Sequence, residues 1–167
     1  LGTSSLDLVA NLGVNGFTSR DLIEIELPQL APLRPEFVTV LIGVNDVVQG
    51  VSVTAYREHV SAILDALLDR LPANRIVVVT TPDYTVTPRG ADYGDPAQQA
   101  ATIRLFNGAI GELADGRGVA VCDIHAISLE AARDPSLVAD DGLHPSGAQY
   151  GRWVERIGTV VEELLRG

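Results

Sequence analysis

Apolar positions fall into two kinds of run that alternate along the 167-residue chain. Residues 37–42 (FVTVLI), 75–81 (RIVVVTT) and 119–124 (VAVCDI) are short and rich in β-branched side chains. They lack the apolar–polar alternation of a half-exposed strand and predict strands buried on both faces. A fourth run at residues 8–14 (LVANLGV), with Gly13 and Gly16 at its end, predicts one more strand. Between these runs the spacing is helical. Within residues 54–71, Val60, Ile63, Leu64, Leu67, Leu68 and Leu71 form one stripe. Residues 96–114 form the next helix, with Gly108 and Gly111 as weak points, and residues 127–133 a short one. Residues 146–166 form the last. Thr18 and Ser19 are good N-caps for a helix over 20–27 that Pro28 stops, and Pro32 and Pro35 hold the next connection open. Residues 85–96, rich in Pro, Gly, Asp and Tyr, read as a surface loop.

Strands that alternate with helices and are buried on both sides imply a parallel sheet covered on both faces, a three-layer α/β/α sandwich. Residues 1–167 contain no repeat, low-complexity stretch or linker that divides them, so one domain is expected. The strand C-termini carry Gly16, Asn45, Pro82–Asp83 and Asp123–His125. In open α/β sheets that edge is where ligands bind.

Composition narrows the function. A net charge of −10 disfavours nucleic acid and anionic membrane as partners. No apolar run approaches the roughly 20 residues of a membrane span. Cys122, the single cysteine, rules out an intrachain disulfide; inside a strand it reads as a small hydrophobe. Three scattered histidines with one cysteine make a zinc site an unattractive expectation. The chain begins at Leu1 and contains no methionine, from which an absent upstream segment is expected. Its first residues show neither the basic nor the apolar region of a signal peptide. Localisation and oligomeric state stay open.

Three motifs carry the chemistry. Asp141-Gly142-Leu143-His144-Pro145 sets an acid three residues ahead of a histidine, just before the last helix. An aspartate so placed can orient the imidazole and support it as a general base. A helix-capping turn with a solvated histidine is the structural alternative. Gly43-Val44-Asn45-Asp46 follows the FVTVLI run and reads as a turn or as an amide held over a strand end. Asn11-Leu12-Gly13-Val14-Asn15-Gly16 precedes a helix start, and a glycine there leaves its N–H unshielded. His59 falls on the polar face of its helix and reads as solvated, and His125 reads as structural. No G-x-S-x-G elbow and no Walker loop is present.

In this order, and over nearly the whole chain, the three motifs resemble the later blocks of the SGNH (GDSL-type) hydrolases, a family of serine esterases and lipases. The resemblance implies a flavodoxin-like sheet in the order 2-1-3-4-5. It implies His144 as general base, Asp141 as its orienting acid, and the Gly16 N–H and Asn45 side chain as oxyanion-hole donors. It implies a small ester substrate and neither metal nor organic cofactor. Tyr84 and Tyr93 are candidates for the substrate-side wall.

The family's nucleophile lies in a Gly-Asp-Ser block about 30 residues before the Gly16-type glycine. Only 15 residues precede Gly16 here, and Ser4 and Ser5 stand too close to the 8–14 run for a crossover helix. The expectation is therefore an N-terminally truncated SGNH hydrolase-type domain without its nucleophile and without the central first strand. Such a chain would show no ester turnover until its upstream segment is restored. A non-catalytic ligand-binding relative that has lost the serine is the alternative.

Overall fold

The computed structural model describes residues 6–166. A helical segment opens with α1 (Ser19–Asp21), passes through a π turn (Leu22–Glu26) and a 3-10 turn (Leu27–Gln29), and ends in α2 (Leu30–Leu33). Then come β1 (Val38–Leu41), α3 (Val44–Val48), α4 (Val53–Leu68), β2 (Ile76–Val79) and α5 (Pro96–Asp115). β3 (Ala120–Cys122), α6 (His125–Ser128) and α7 (Gly147–Arg166) complete the order. The strands form one parallel sheet in the order β1-β2-β3, with Val40 opposite Val78 and Val78 opposite Val121.

Alternation along β2 divides the interior in two. Ile76 and Val78 face a cluster built with Val40 from β1, Val60, Ile63, Leu64 and Leu67 from α4, and Ile103, Phe106 and Ile110 from α5. Val77 and Val79 face the other way, onto Cys122, Ile124 and Trp153, with Ile157, Val160 and Leu164 of α7 alongside. Helices therefore cover both faces of a parallel sheet, as doubly buried strands require. Every residue of β2 is buried.

The first cluster centres on a stacked pair. Tyr56 of α4 and Phe106 of α5 lie with ring centroids 3.8 Å apart and planes 5° from parallel. The Tyr56 hydroxyl, though buried, donates to the Ile42 carbonyl at 2.9 Å. Burial pushes its pKa up, so it stays a donor. Asn107 of α5 acts as a short strand edge: its Oδ1 accepts the Thr81 N–H at 2.7 Å and its Nδ2 donates to the Thr81 carbonyl at 2.9 Å. These bonds close the backbone where β2 runs out.

Four expectations are corrected. Residues 8–14 form no strand; they are irregular and unpaired, with Leu8 85% exposed. A strand is stable only against a neighbour's backbone, and the described residues place none on the outer edge of β1. Nor is β1 buried on both faces. Val40 is covered but Leu41 remains 41% exposed. Pro28 does not end the first helix. It occupies the opening positions of a fresh 3-10 turn, where a missing N–H does no harm. The segment stops at Arg34, whose φ of 46° is left-handed. Residues 127–133, expected as one helix, split between α6 and a 3-10 turn (Leu129–Ala132).

Deleting the stacked ring should be expensive. Phe106→Ala is expected to lower the unfolding free energy by about 3–5 kcal/mol in urea titration. Gly108→Ala, on the same helix but exposed with nothing near the added methyl group, should raise it by about 0.5–1 kcal/mol.

Candidate active site

β1 and β2 both deliver their C-terminal loops to one end of the sheet. After β1 the chain turns at Gly43, whose φ is 132°. A Cβ there would stand 2.5 Å from Thr81 Oγ1 and 2.8 Å from the Tyr56 hydroxyl, so only glycine fits. The turn starts α3, a short helix where the sequence suggests a turn or an amide held over a strand end. Within it Asn45 is half-buried, and Asp46 is fully buried.

Both side chains reach the segment that follows Gly16. Asn45 Nδ2 donates one hydrogen to the Phe17 carbonyl at 2.8 Å. Its second hydrogen has no protein acceptor among the described residues. Asp46 Oδ2 accepts the Ser19 N–H at 2.9 Å, and Oδ1 accepts the Ser19 hydroxyl at 2.5 Å. Thr18 and Asp21 complete a capping box: the Thr18 N–H and hydroxyl reach Asp21 Oδ2 at 2.8 and 2.6 Å. Gly16 itself occupies a turn closed by Phe17 N–H to the Val14 carbonyl at 3.2 Å. Its φ of 87° calls for glycine, and nothing stands within 4 Å of where a Cβ would be. Its N–H has no protein acceptor among the described residues. A cleft of about 140 Å³ opens beside these groups, lined by Val14, Phe17, Leu41, Ile42, Val44 and Asn45 among others.

The Asp141–His144 turn docks on the loop that leaves β2, where its Gly142 carbonyl accepts the Arg89 N–H at 3.0 Å. Gly142 has φ 73°, and a Cβ would press on Arg89 Cγ at 3.2 Å. Ala139 N–H to the His144 carbonyl at 2.8 Å and Ser146 N–H to the Leu137 carbonyl at 2.8 Å brace the turn. Asp141 then does two jobs. Its Oδ1 accepts the Leu143 and His144 N–H groups at 2.9 and 3.0 Å, and its Oδ2 meets His144 Nδ1 at 2.5 Å. That contact assigns the imidazole proton to Nδ1 and leaves Nε2 on an exposed ring. The His144 bond first, then the two backbone donors, hold the Asp141 carboxyl well below the usual carboxylate range.

Other residues stand differently. His59 is not simply solvated: it is half-buried and its Nδ1 meets Ser19 Oγ at 2.8 Å. His125 Nε2 is buried with no hydrogen-bond partner, 3.7 Å from buried Asp83 Oδ2, beyond hydrogen-bonding distance. Tyr84 is buried and packs in the first core cluster, while Tyr93 meets it edge-on with centroids 6.2 Å apart. Neither ring is among the residues that line the cleft beside Asn45. Cys122 is buried, and burial raises its thiol pKa. Ser4 and Ser5 lie outside the described residues. Sequence reasoning missed Ser19 and Asp46. The one available signal was that the acid of Gly-x-Asn-Asp lies in a stretch with Val44, Val47 and Val48, where a buried aspartate needs partners.

Helices on both faces of a parallel sheet, with polar loops gathered at the strand C-termini, define an α/β fold of the SGNH hydrolase kind. The GDSL-like lipase/acylhydrolase family pattern matches residues 2–152, and the chain belongs to that family. Solved structures agree on the fold. Axe2, an acetylxylan esterase from Geobacillus stearothermophilus, superposes with a TM-score of 0.71 at 19% identity, over 87% of this chain and 68% of its own. LAE5, an α/β hydrolase enzyme from the metagenome of Lake Arreo, gives 0.71 at 19% identity over 89% and 70%. A lipase/acylhydrolase from Enterococcus faecalis gives 0.70 at 18% identity over 89% and 72%. No curated protein matches the chain. Among the described residues no helix is long and apolar enough to cross a membrane.

The depressed Asp141 carboxyl has a measurable consequence. Its contribution to stability is complete above the unfolded value of about 3.9 and is lost as pH falls from there through the folded value. Asp141→Asn should therefore flatten the fall of the urea midpoint with acid below about pH 4, and leave the slope above about pH 5 unchanged. An unaltered acid limb would show that the carboxyl titrates normally.

Proposed function

We propose that this chain carries the oxyanion-hole and Asp–His parts of a serine carboxylic ester hydrolase. The supporting observation is the 2.5 Å contact of Asp141 Oδ2 with His144 Nδ1, which leaves Nε2 on an exposed ring. Family membership over residues 2–152 supports the same reading.

In the mechanism, His144 Nε2 takes the proton of a nucleophilic serine as its oxygen attacks the ester carbonyl. The imidazolium is stabilised by Asp141, and its proton then passes to the leaving alkoxide as the acyl-enzyme forms. Water repeats the sequence, giving its proton to His144 and releasing the acid. Gly16 N–H and the uncommitted Asn45 N–H meet the negative charge that grows on the carbonyl oxygen. Asn45 suits this role because its bond to the Phe17 carbonyl fixes the amide plane in advance.

The serine is assigned to a Gly-Asp-Ser block preceding the described residues, on a strand that pairs with the outer edge of β1. Exposed Leu41 and the cleft between residues 41–45 and 13–17 support that placement. Among the described residues no serine bonds to His144; Ser19 is fully buried against Asp46, and Ser146 Oγ donates to the Ser136 carbonyl at 2.6 Å.

Hydrolysis of a short-chain 4-nitrophenyl ester tests the reading, with the 167-residue chain alone and preceded by a Gly-Asp-Ser-bearing segment. Turnover is expected only in the extended form. There, His144→Ala should abolish it, and Asn45→Ala should lower kcat by about 100- to 1,000-fold. Asp141→Ala should do less damage than His144→Ala, and His125→Ala should be near neutral. Binding of an acylated ligand without turnover in the extended form would favour the non-catalytic alternative. Turnover lost in His125→Ala but kept in His144→Ala would move the general base to the other histidine. Turnover by the 167-residue chain that vanishes in Ser4→Ala or Ser5→Ala would place the nucleophile at the N-terminus instead.

A further inference from the structure

We infer that His59 is a positioning residue for the oxyanion hole, acting through Ser19 and Asp46 without touching substrate. The inference rests on Gly16 and Asn45 being the oxyanion donors. Ser19 Oγ is fully buried and stands 2.5 Å from Asp46 Oδ1 and 2.8 Å from His59 Nδ1. A hydroxyl carries one proton, so two such contacts need one partner that accepts and one that donates. A carboxylate has no proton to give: Asp46 accepts the Ser19 N–H through Oδ2 at 2.9 Å and can only accept through Oδ1 as well. The hydroxyl proton therefore points to Asp46, and His59 Nδ1 bears the proton that completes Ser19 Oγ.

The relay crosses three elements. His59 belongs to α4, a helix held against the sheet by Tyr56, Val60, Ile63 and Leu64. Ser19 opens α1, three residues after Gly16, and Asp46 follows Asn45 in α3. The Asn45 bond to the Phe17 carbonyl joins the same two segments at 2.8 Å. Gly16 and Asn45 thus hang on opposite sides of one buried clamp. Without the His59 proton, Ser19 Oγ must turn to satisfy itself elsewhere or stay underbonded, and the clamp loosens. A shift of about 1 Å in a reacting geometry is enough to lower a rate by about a hundredfold.

His59→Leu and His59→Asn separate this role from simple packing. The asparagine amide takes the place of Nδ1 and can donate to Ser19 Oγ, whereas leucine cannot. In the extended esterase, His59→Leu should lower kcat by about ten- to a hundredfold with KM little changed, and His59→Asn should recover most of it. Ser19→Ala should lose a similar factor, and the His59→Leu/Ser19→Ala double variant no more than the worse single, as one relay requires. In the 15N-labelled 167-residue chain, His59→Leu should shift the Gly16 and Ser19 amide signals and the Asn45 side-chain signal, and His59→Asn should restore them. Unmoved signals and unchanged kcat in His59→Leu, with Asn45→Ala still impaired, would overturn the relay and leave the oxyanion hole standing. Equal losses in His59→Leu and His59→Asn would overturn it as well. Shifted signals with an unimpaired Asn45→Ala would remove the oxyanion hole itself, and the positioning role with it.

Discussion

The buried carboxylate of Asp46 is the constraint on which this end of the molecule depends. An ionisable group with no exposure needs hydrogen-bond donors, or its burial is heavily unfavourable. Asp46 finds two of them on Ser19, the backbone N–H and the hydroxyl. Those bonds tie the start of the first helical segment to the end of β1, elements 27 residues apart in the chain. The left-handed turn at Gly16 and the amide of Asn45 are both fixed as by-products.

A second brace lies beneath the first. The Ile42 carbonyl accepts from the Tyr56 hydroxyl at 2.9 Å and from Thr81 Oγ1 at 3.1 Å, so a helix and the neighbouring strand end both hold the point where β1 stops. Gly43 exists to let those two hydroxyls approach. The Asp141–His144 turn is independent of this arrangement. Its rigidity comes from its own backbone bonds and from Arg89, so it docks as a separate unit on the loop after β2. Between these two separately braced parts runs the sheet, whose middle strand β2 is buried throughout.

Much of this was legible in the chain itself. Residues 37–42, 75–81 and 119–124 became β1, β2 and β3, each trimmed by one or two residues at either end, because dense β-branched runs have few other stable homes. The α4 stripe was visible for the same reason: Val60, Ile63, Leu64 and Leu67 recur at helical spacing and all four are buried. Asp141 and His144 are three residues apart, and a local turn is enough to join them. Sequence therefore specified that pair without help from the rest of the fold.

What sequence alone could not decide is whatever needs a partner far along the chain. Residues 8–14 have the apolar content of a strand, but a strand is made by its neighbour, and the described residues offer none at the open edge of β1. His59 sits on what looks like the polar face of an amphipathic helix. Only tertiary packing put Ser19, 40 residues earlier in the chain, against its Nδ1. Local patterns thus determined the elements and the Asp–His turn, where the interacting atoms are a few residues apart. The relay, the clamp around Gly16 and the fate of the 8–14 segment depend on atoms brought together by the closed core, and the order of residues carries no direct record of them.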